Sequence, residues 1–419
     1  MLKHLSRLWF IPLIIIALLH PQTALAQFSN PNIAYEVSKI AAQGDGQQTT
    51  YRFSQTLEEP LTFTLSNQPE DITDPYDYNG LAIYLGLAPA IKVMSSGKIK
   101  PLKFKKNAPI ISDGQWTGYK ARFRTVLIKA DGATITATPQ KLTAMWPVGV
   151  TAELTILTGH QDTSEPPLNQ NSFDIRRVQY SHLPRWLGAL CRGVEWIYKT
   201  IQSVTGLSWG LSLILFAVII KLLMLPFSIL TTRSQDKVNL HKAALEPIFD
   251  EIKKSFKGET AHNKIMAAYK ARGITPYYTL KPLIATMISL PVLIAIFNML
   301  GEFAPLQSAS FLWMHSLAYP DDIATLPFKI PLLGQALNIM PFLMAGVTIF
   351  ATLRNKNATA TPREMVKQKR NLYLMAGLFF FIFYPFPSGM VFYWTLYNLL
   401  QIGVNPILER LKTKTPLAK

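Results

Sequence analysis

Apolar and polar positions change their rhythm three times along the chain. Leu8 to Leu19 is an apolar run broken only by Pro12. From Gln27 to about Tyr180 apolar residues alternate with polar ones in short bursts, as in Leu61-Thr-Phe-Thr-Leu65, Thr134-Ile-Thr-Ala-Thr138 and Ala152-Glu-Leu-Thr-Ile156. A period of two puts neighbours on opposite faces of a strand, and Gly44-Asp45-Gly46, Ser95-Ser96-Gly97 and Asp131-Gly132 supply turns between the bursts. The expectation for 27–180 is an all-β, sandwich-like domain of antiparallel strands. From Leu183 the spacing shifts to three and four. Trp186, Leu190, Val194, Ile197, Ile201 and Val204 recur on one side, with Arg192, Glu195, Lys199 and Gln202 on the other. This predicts an amphipathic helix over 183–206, suited to a membrane interface; packing against the sandwich is the alternative.

Beyond Ser208 long apolar stretches predict five spans: Trp209 to Leu230, Pro282 to Leu300, Leu333 to Leu353, Leu372 to Phe386, and Met390 to Ile407. The fourth is short and needs a thinned bilayer or close neighbours. Between the first two spans, Leu240, Leu245, Ile248, Phe249, Ile252 and Phe256 form an apolar stripe. Lys257-Gly258 marks a turn, and Ile265, Met266 and Tyr269 a return. A helical hairpin over 236–272 is expected. The fold class is thus a polytopic α-helical membrane protein, a five-helix core over 208–410 with that hairpin, joined to a β domain. Residues 411–419 form a short basic tail.

Charge orients this arrangement. Thr231 to Lys281 carries ten Lys and Arg, Arg354 to Arg370 six, and the chain after Asn405 four. The segment between the second and third spans holds only Lys329, and Pro385 to Gly389 none. Basic loops stay cytoplasmic, so the hairpin and C-terminus belong inside and residues 27–180 outside. The N-terminus agrees. Lys3 and Arg7 precede the Leu8–Leu19 run, and Ala24-Leu25-Ala26 is a small-x-small cleavage site, so 1–26 reads as a signal peptide. An uncleaved anchor is the alternative. In a bacterium this places the chain in the inner membrane with its β domain in the periplasm.

The whole chain has 42 Lys+Arg against 25 Asp+Glu, a formal net charge of +17, yet only 16% of its residues are charged. That low fraction argues against a nucleic-acid partner. The lysines at 98, 100, 103, 105 and 106 form a basic strip, read as a solvated face, with anionic lipid contact as the alternative. One cysteine, Cys191, excludes a disulfide framework and a cysteine-based metal site, and no cofactor is implied. No phosphate-binding G-x-x-x-x-G-K-[ST] loop and no H-E-x-x-H occurs, and no span carries Asp or Glu. An ATPase, a metalloprotease and a proton-coupled transporter lose support. One charge stands within a span: Lys221, in Ile219-Ile220-Lys221-Leu222-Leu223-Met224-Leu225-Pro226. Burying it in lipid costs roughly 2.5–3.5 kcal/mol, so it is expected to face a hydrated cavity or a partner, where it would attract acidic segments. A snorkelling lysine is the bland alternative.

The membrane half resembles the YidC/Oxa/Alb membrane protein insertases across about Leu183 to Arg410. The resemblance rests on Trp209-Gly210, the Lys221, Met224, Pro226 group, Ala268-Tyr269-Lys270, Leu290-Pro291, Phe311-Leu312-Trp313-Met314-His315, Phe386-Pro387-Ser388-Gly389, Tyr393-Trp394 and Asn398. It implies five helices around a hydrophilic groove open to the cytoplasm and to lipid but closed outside. It also implies a non-enzymatic insertase and chaperone for nascent membrane proteins, in contact with the bilayer; the Sec translocon and the ribosome are further candidate partners. The family cation maps onto Lys221, where the family more often has Arg. The aromatic pair beside the groove maps onto Tyr393 and Trp394. Family members often place a Gln near the cytoplasmic end of span three; Thr348 and Thr352 are the nearest polar residues here. The exported region resembles the family's periplasmic β domain only around Trp116-Thr-Gly-Tyr119 and Phe123. A small-solute transporter would show internal repeats and paired midplane charges, which are missing. An anchor for the β domain would not need Lys221 or the hairpin.

Overall fold

The computed structural model describes residues 26–29, 35–41, 46–66, 92–95, 100–101, 110–113, 116–137, 141–162, 173–271, 281–331, 333–354 and 362–413. The signal segment up to Leu25, Lys98, Lys103, Lys105 and Lys106 of the basic strip, Arg272 and the tail from 414 lie outside these residues. The described residues divide into two units between His182 and Leu183.

Among the described residues of the first unit twelve strands run β1 (Ala26–Phe28), β2 (Tyr35–Ala41), β3 (Gln47–Phe53), β4 (Leu61–Ser66), β5 (Lys92–Ser95), β6 (Lys100–Pro101), β7 (Ile110–Asp113), β8 (Thr117–Lys120), β9 (Arg124–Asp131), β10 (Thr134–Ala137), β11 (Lys141–Trp146) and β12 (Glu153–His160). They pair antiparallel into two sheets, ordered β1-β4-β11-β10-β7 and β2-β3-β12-β9-β8-β5-β6. Alternation explains the core. Leu61, Phe63 and Leu65 lie opposite Trp146, Ala144 and Leu142 in one sheet, while Ile128 and Ala130 lie opposite Ile156 and Leu154 in the other. These residues form one buried apolar cluster, as facing sheets of a sandwich should. Strands β9 and β12 are apolar on their outer side too, where Leu127 and its partner Leu157 are covered by Phe173, Ile175 and Val178. The Trp116-Thr-Gly-Tyr119 run enters β8, and Gly118 is needed there: a Cβ would lie 1.9 Å from the Val126 carbonyl oxygen.

The second unit contains α1 (Arg185–Thr205), α2 (Trp209–Ser255), α3 (Gly258–Ala271), α4 (Lys281–Glu302), β13 (Ala324–Ile330), β14 (Gly334–Leu337), α5 (Met340–Arg354), α6 (Pro362–Phe383) and α7 (Ser388–Thr413). Helix α1 is where expected, closed by Gly206 at φ 65°. Its buried face differs from the predicted stripe: Leu187, Cys191, Val194, Tyr198 and Ile201 go inward with Glu195, whereas Trp186 and Val204 are exposed. Tyr198 decides the rotation, since its ring packs on Trp209, Phe216 and Phe303 and its hydroxyl donates to the Trp209 carbonyl at 2.7 Å.

Helix limits also differ from the sequence reading. Helix α2 runs unbroken from the first apolar stretch into the hairpin, across Pro226 and Pro247. Helix α5 begins at Met340 rather than Leu333, because Gly334, at φ 83°, turns the preceding residues into a β13–β14 hairpin and Asp321 accepts from the Ile339 and Met340 amides at 2.9 Å each. Helix α6 extends back to Pro362 through a polar first half, and its helical turns stop at Phe383 rather than Phe386. Among the described residues one stretch, Trp209–Val238, is long and apolar enough to cross a membrane, with mean hydropathy 2.7. Ser289–Glu302 and Met340–Arg354 are shorter apolar helices, and the chain combines a helical unit with a β unit.

Candidate functional site

Lys221 is the focus. It lies in α2 with only 2% of its surface exposed. Its Nζ donates to Gln401 Oε1 and sits 3.6 Å from the centroid of the Tyr397 ring, a cation–π geometry. Both partners belong to α7. Gln401 Nε2 in turn donates to Asn405 Oδ1 at 2.6 Å, which fixes the amide so that its oxygen points at the lysine. The cation is thus held by a ring face and one neutral acceptor, and no carboxylate is paired with it among the described residues.

The helical repeat of α7 spaces the site. Tyr393, Tyr397 and Gln401 are four residues apart, so they share one face. Tyr393 is buried against Phe216, with ring centroids 6.0 Å apart. Trp394, one step round, stacks on Phe383 at 5.8 Å and on Tyr397 at 6.1 Å, and its indole Nε1 is buried with no hydrogen-bond partner. Met224, Leu290, Leu293, Tyr393, Trp394 and Tyr397 help to line a cleft of about 220 Å³ between α2, α4 and α7. Tyr397 therefore links the cleft to the lysine. Asn398 Nδ2 donates to Thr348 Oγ1 at 3.1 Å, tying α7 to α5. Thr348 is satisfied through the Met344 carbonyl at 2.7 Å; Thr352 is exposed and bonds back to the Thr348 carbonyl at 2.9 Å. So Tyr393 and Trp394 line one cleft, Lys221 joins it only through Tyr397, Asn398 and Thr348 pair with each other, and Thr352 stands apart. Of the hairpin residues, Leu245 is fully buried, Ile248, Phe249 and Ile252 are half-buried, and the Phe249 ring meets Tyr269 of α3 at 5.1 Å.

The opposite ends of these helices are tied by polar bonds. Asp321, 3% exposed, accepts from Trp313 Nε1 at 3.0 Å as well as from the two α5 amides. Asn338 donates to the Tyr384 carbonyl at 2.8 Å, and the Tyr384 hydroxyl to the Ala336 carbonyl at 2.8 Å. Ser388, at the start of α7, donates to the Ser316 carbonyl at 2.7 Å. Gly210 is tightly enclosed, since a Cβ there would lie 2.4 Å from the Phe311 ring. The sequence reading missed Tyr397, Gln401, Asp321 and Asn338; the four-residue spacing from Tyr393 was the available signal for the first two.

A helical bundle with a buried cation, an adjoining apolar cleft and an all-β companion unit defines the class. A family model described as "60Kd inner membrane protein" matches residues 200–415, just over half of the chain. The chain belongs to that family. It is similar to the "Membrane protein insertase YidC" of Chloroherpeton thalassium, 34% identical over 198 residues, covering 47% of this chain and 32% of that protein. The protein of the same description from Chlorobium phaeovibrioides is 31% identical over 211 residues (50% and 34%), and that from Leptospira interrogans serovar Lai 32% over 225 (52% and 34%). The matches cover about a third of the length of these relatives, and the family match leaves the sandwich outside it.

Proposed function

We propose that this chain is a membrane protein insertase and chaperone of the bacterial inner membrane, acting without enzymatic chemistry. The observation that carries the reading is Lys221: a cation sealed within the one apolar stretch of spanning length among the described residues, held by neutral partners beside an apolar cleft. The description of its relatives as insertases supports it. In this reading α2, α4, α5, α6 and α7 span the bilayer, the sandwich is periplasmic, and the α2–α3 hairpin and C-terminus are cytoplasmic. Gln401 Oε1 occupies the place that a carboxylate of a nascent membrane protein would take. Opposite charges about 4 Å apart gain about 4 kcal/mol at an effective dielectric near 20, enough to offset much of the cost of drawing one acidic residue inward. The client's apolar helix then moves along the Tyr393–Trp394–Tyr397 face into lipid. The polar ties around Asp321 and Asn338 keep the far end shut, and the hairpin moves as a flap below the cleft. The Sec translocon and the ribosome are the partners this reading would add.

The test is complementation. Expressed in bacteria depleted of their own insertase, the chain should restore growth and the insertion of single-span clients. Reporters in Gln307–Pro327 should read periplasmic, and reporters near Gly258 cytoplasmic. Stable expression without rescue, or inverted reporters, would contradict the reading.

A further inference from the structure

The β13–β14 hairpin has an apolar surface that the unit does not cover. Two strands alone cannot enclose side chains between layers. Along β13, Leu326, Phe328 and Ile330 alternate with Thr325, Pro327 and Lys329, and Phe328 is 60% exposed. Ile323, just before the strand, is exposed as well. From Ile323 to Ile339 there is no acidic residue, and the one charge is the exposed Lys329. Such a segment would be poorly served by water but suits a surface that is apolar below and anionic above.

Its position points the same way. The hairpin leads directly into α5, and Asn338, bonded to the Asp322 amide at 3.0 Å and to Tyr384, anchors its base. The first turn of α5 exposes Phe342 and Leu343, so both the hairpin and the helix it leads into carry uncovered apolar side chains. We infer that the hairpin is a lipid anchor: it lies in the outer-leaflet interface of the membrane, with Phe328 at the acyl boundary, roughly 5–10 Å deep, and Lys329 among the lipid phosphates. The anchor would hold the periplasmic end of α5 at a fixed height while the opposite end works on clients. This rests on the membrane reading proposed above.

Single-cysteine labelling separates the two. Cys191 is buried, its thiol pushed up to about 12 by burial and by Glu302 nearby, and Cys191→Ser supplies the background. Phe328→Cys, Phe350→Cys on α5 and Lys257→Cys at the α2–α3 turn each carry an environment-sensitive fluorophore, in phosphatidylglycerol–phosphatidylethanolamine vesicles. Quenching is by aqueous iodide or by lipid nitroxides placed near the headgroup or near the acyl end. The label at 328 should be quenched at least about twofold more by the headgroup-proximal nitroxide than by iodide, that at 350 most by the deep nitroxide, and that at 257 by iodide alone. Iodide quenching at 328 with lipid quenching at 350 overturns the anchor and spares the membrane reading. Iodide quenching at both overturns the membrane reading itself. Protection at 328 that vanishes as protein is diluted in lipid points to a second copy and also overturns the anchor.

Discussion

The two units of this chain are packed by opposite rules. Among the described residues of the sandwich, the large apolar side chains on the surface are Tyr35, Val37 and Ile40 of the edge strand β2, with Met145 and Val148. Trp146, Phe63 and Leu61 are wholly enclosed. In the helical unit, Leu222, Leu223, Phe350, Leu374, Leu378, Phe381 and Leu399 are on the outside, while Lys221 and Asp321 are sealed within. Soluble domains rarely leave so many large apolar side chains on the surface of one helical unit, and a bilayer rewards them. On the proposed reading the two units meet different solvents, water around the sandwich and lipid around the helices.

The largest expected effect is therefore separation. Residues 27–182 alone should be monomeric in buffer and unfold cooperatively, whereas 183–419 should aggregate unless detergent is present; size-exclusion chromatography reads both. A monodisperse, detergent-free helical unit would break the comparison. Next come paired truncations in the whole protein. Trp146→Ala removes a buried ring and its bond to the Asp131 carbonyl at 2.9 Å, and should destabilise the sandwich by about 3–5 kcal/mol. Phe350→Ala should change the stability of the detergent-solubilised helical unit by less than about 0.5 kcal/mol. Equal losses in denaturant titrations would contradict the inverted packing.

A smaller effect tests the polar interior. Asp321→Ala strands the Trp313 indole and two amides at the start of α5, and should cost about 2–4 kcal/mol, with Asp321→Asn recovering part. Thermal unfolding in detergent measures it. An unchanged midpoint for Asp321→Ala would mean that water replaces the carboxylate there.

Much of this was legible from the periodicity. Among the described residues the alternating runs fall on β4, β10 and β12 over 61–65, 134–137 and 153–156, and the turn at Lys257-Gly258 separates α2 from α3, with Gly258 at φ 62°. The rotation of α1 was not legible, because Trp186, Leu190, Ile197 and Val204 are as apolar as the face that goes inward, and Glu195 is carried inside with Lys199 bound at 2.8 Å. The start of α5 depends on Asp321, 18 residues before the amide of Ile339, and no local pattern announces so distant a cap. At the site, a charge inside an apolar run picked out Lys221. Its partner Gln401 lies 180 residues away, and only folding brings the two together.

The account turns on whether that charge is used. The direct measurement is protease protection of a single-span client with an acidic translocated segment, in vesicles holding the purified chain. Lys221→Arg should insert about as well as wild type. Lys221→Ala should lose at least about tenfold, an effect that needs only ~1.4 kcal/mol, and Lys221→Glu should lose more. Neutralising the client's acidic residues should restore part of the Lys221→Ala loss. Wild-type insertion of the acidic client by both Lys221→Ala and Lys221→Glu would contradict a working cation.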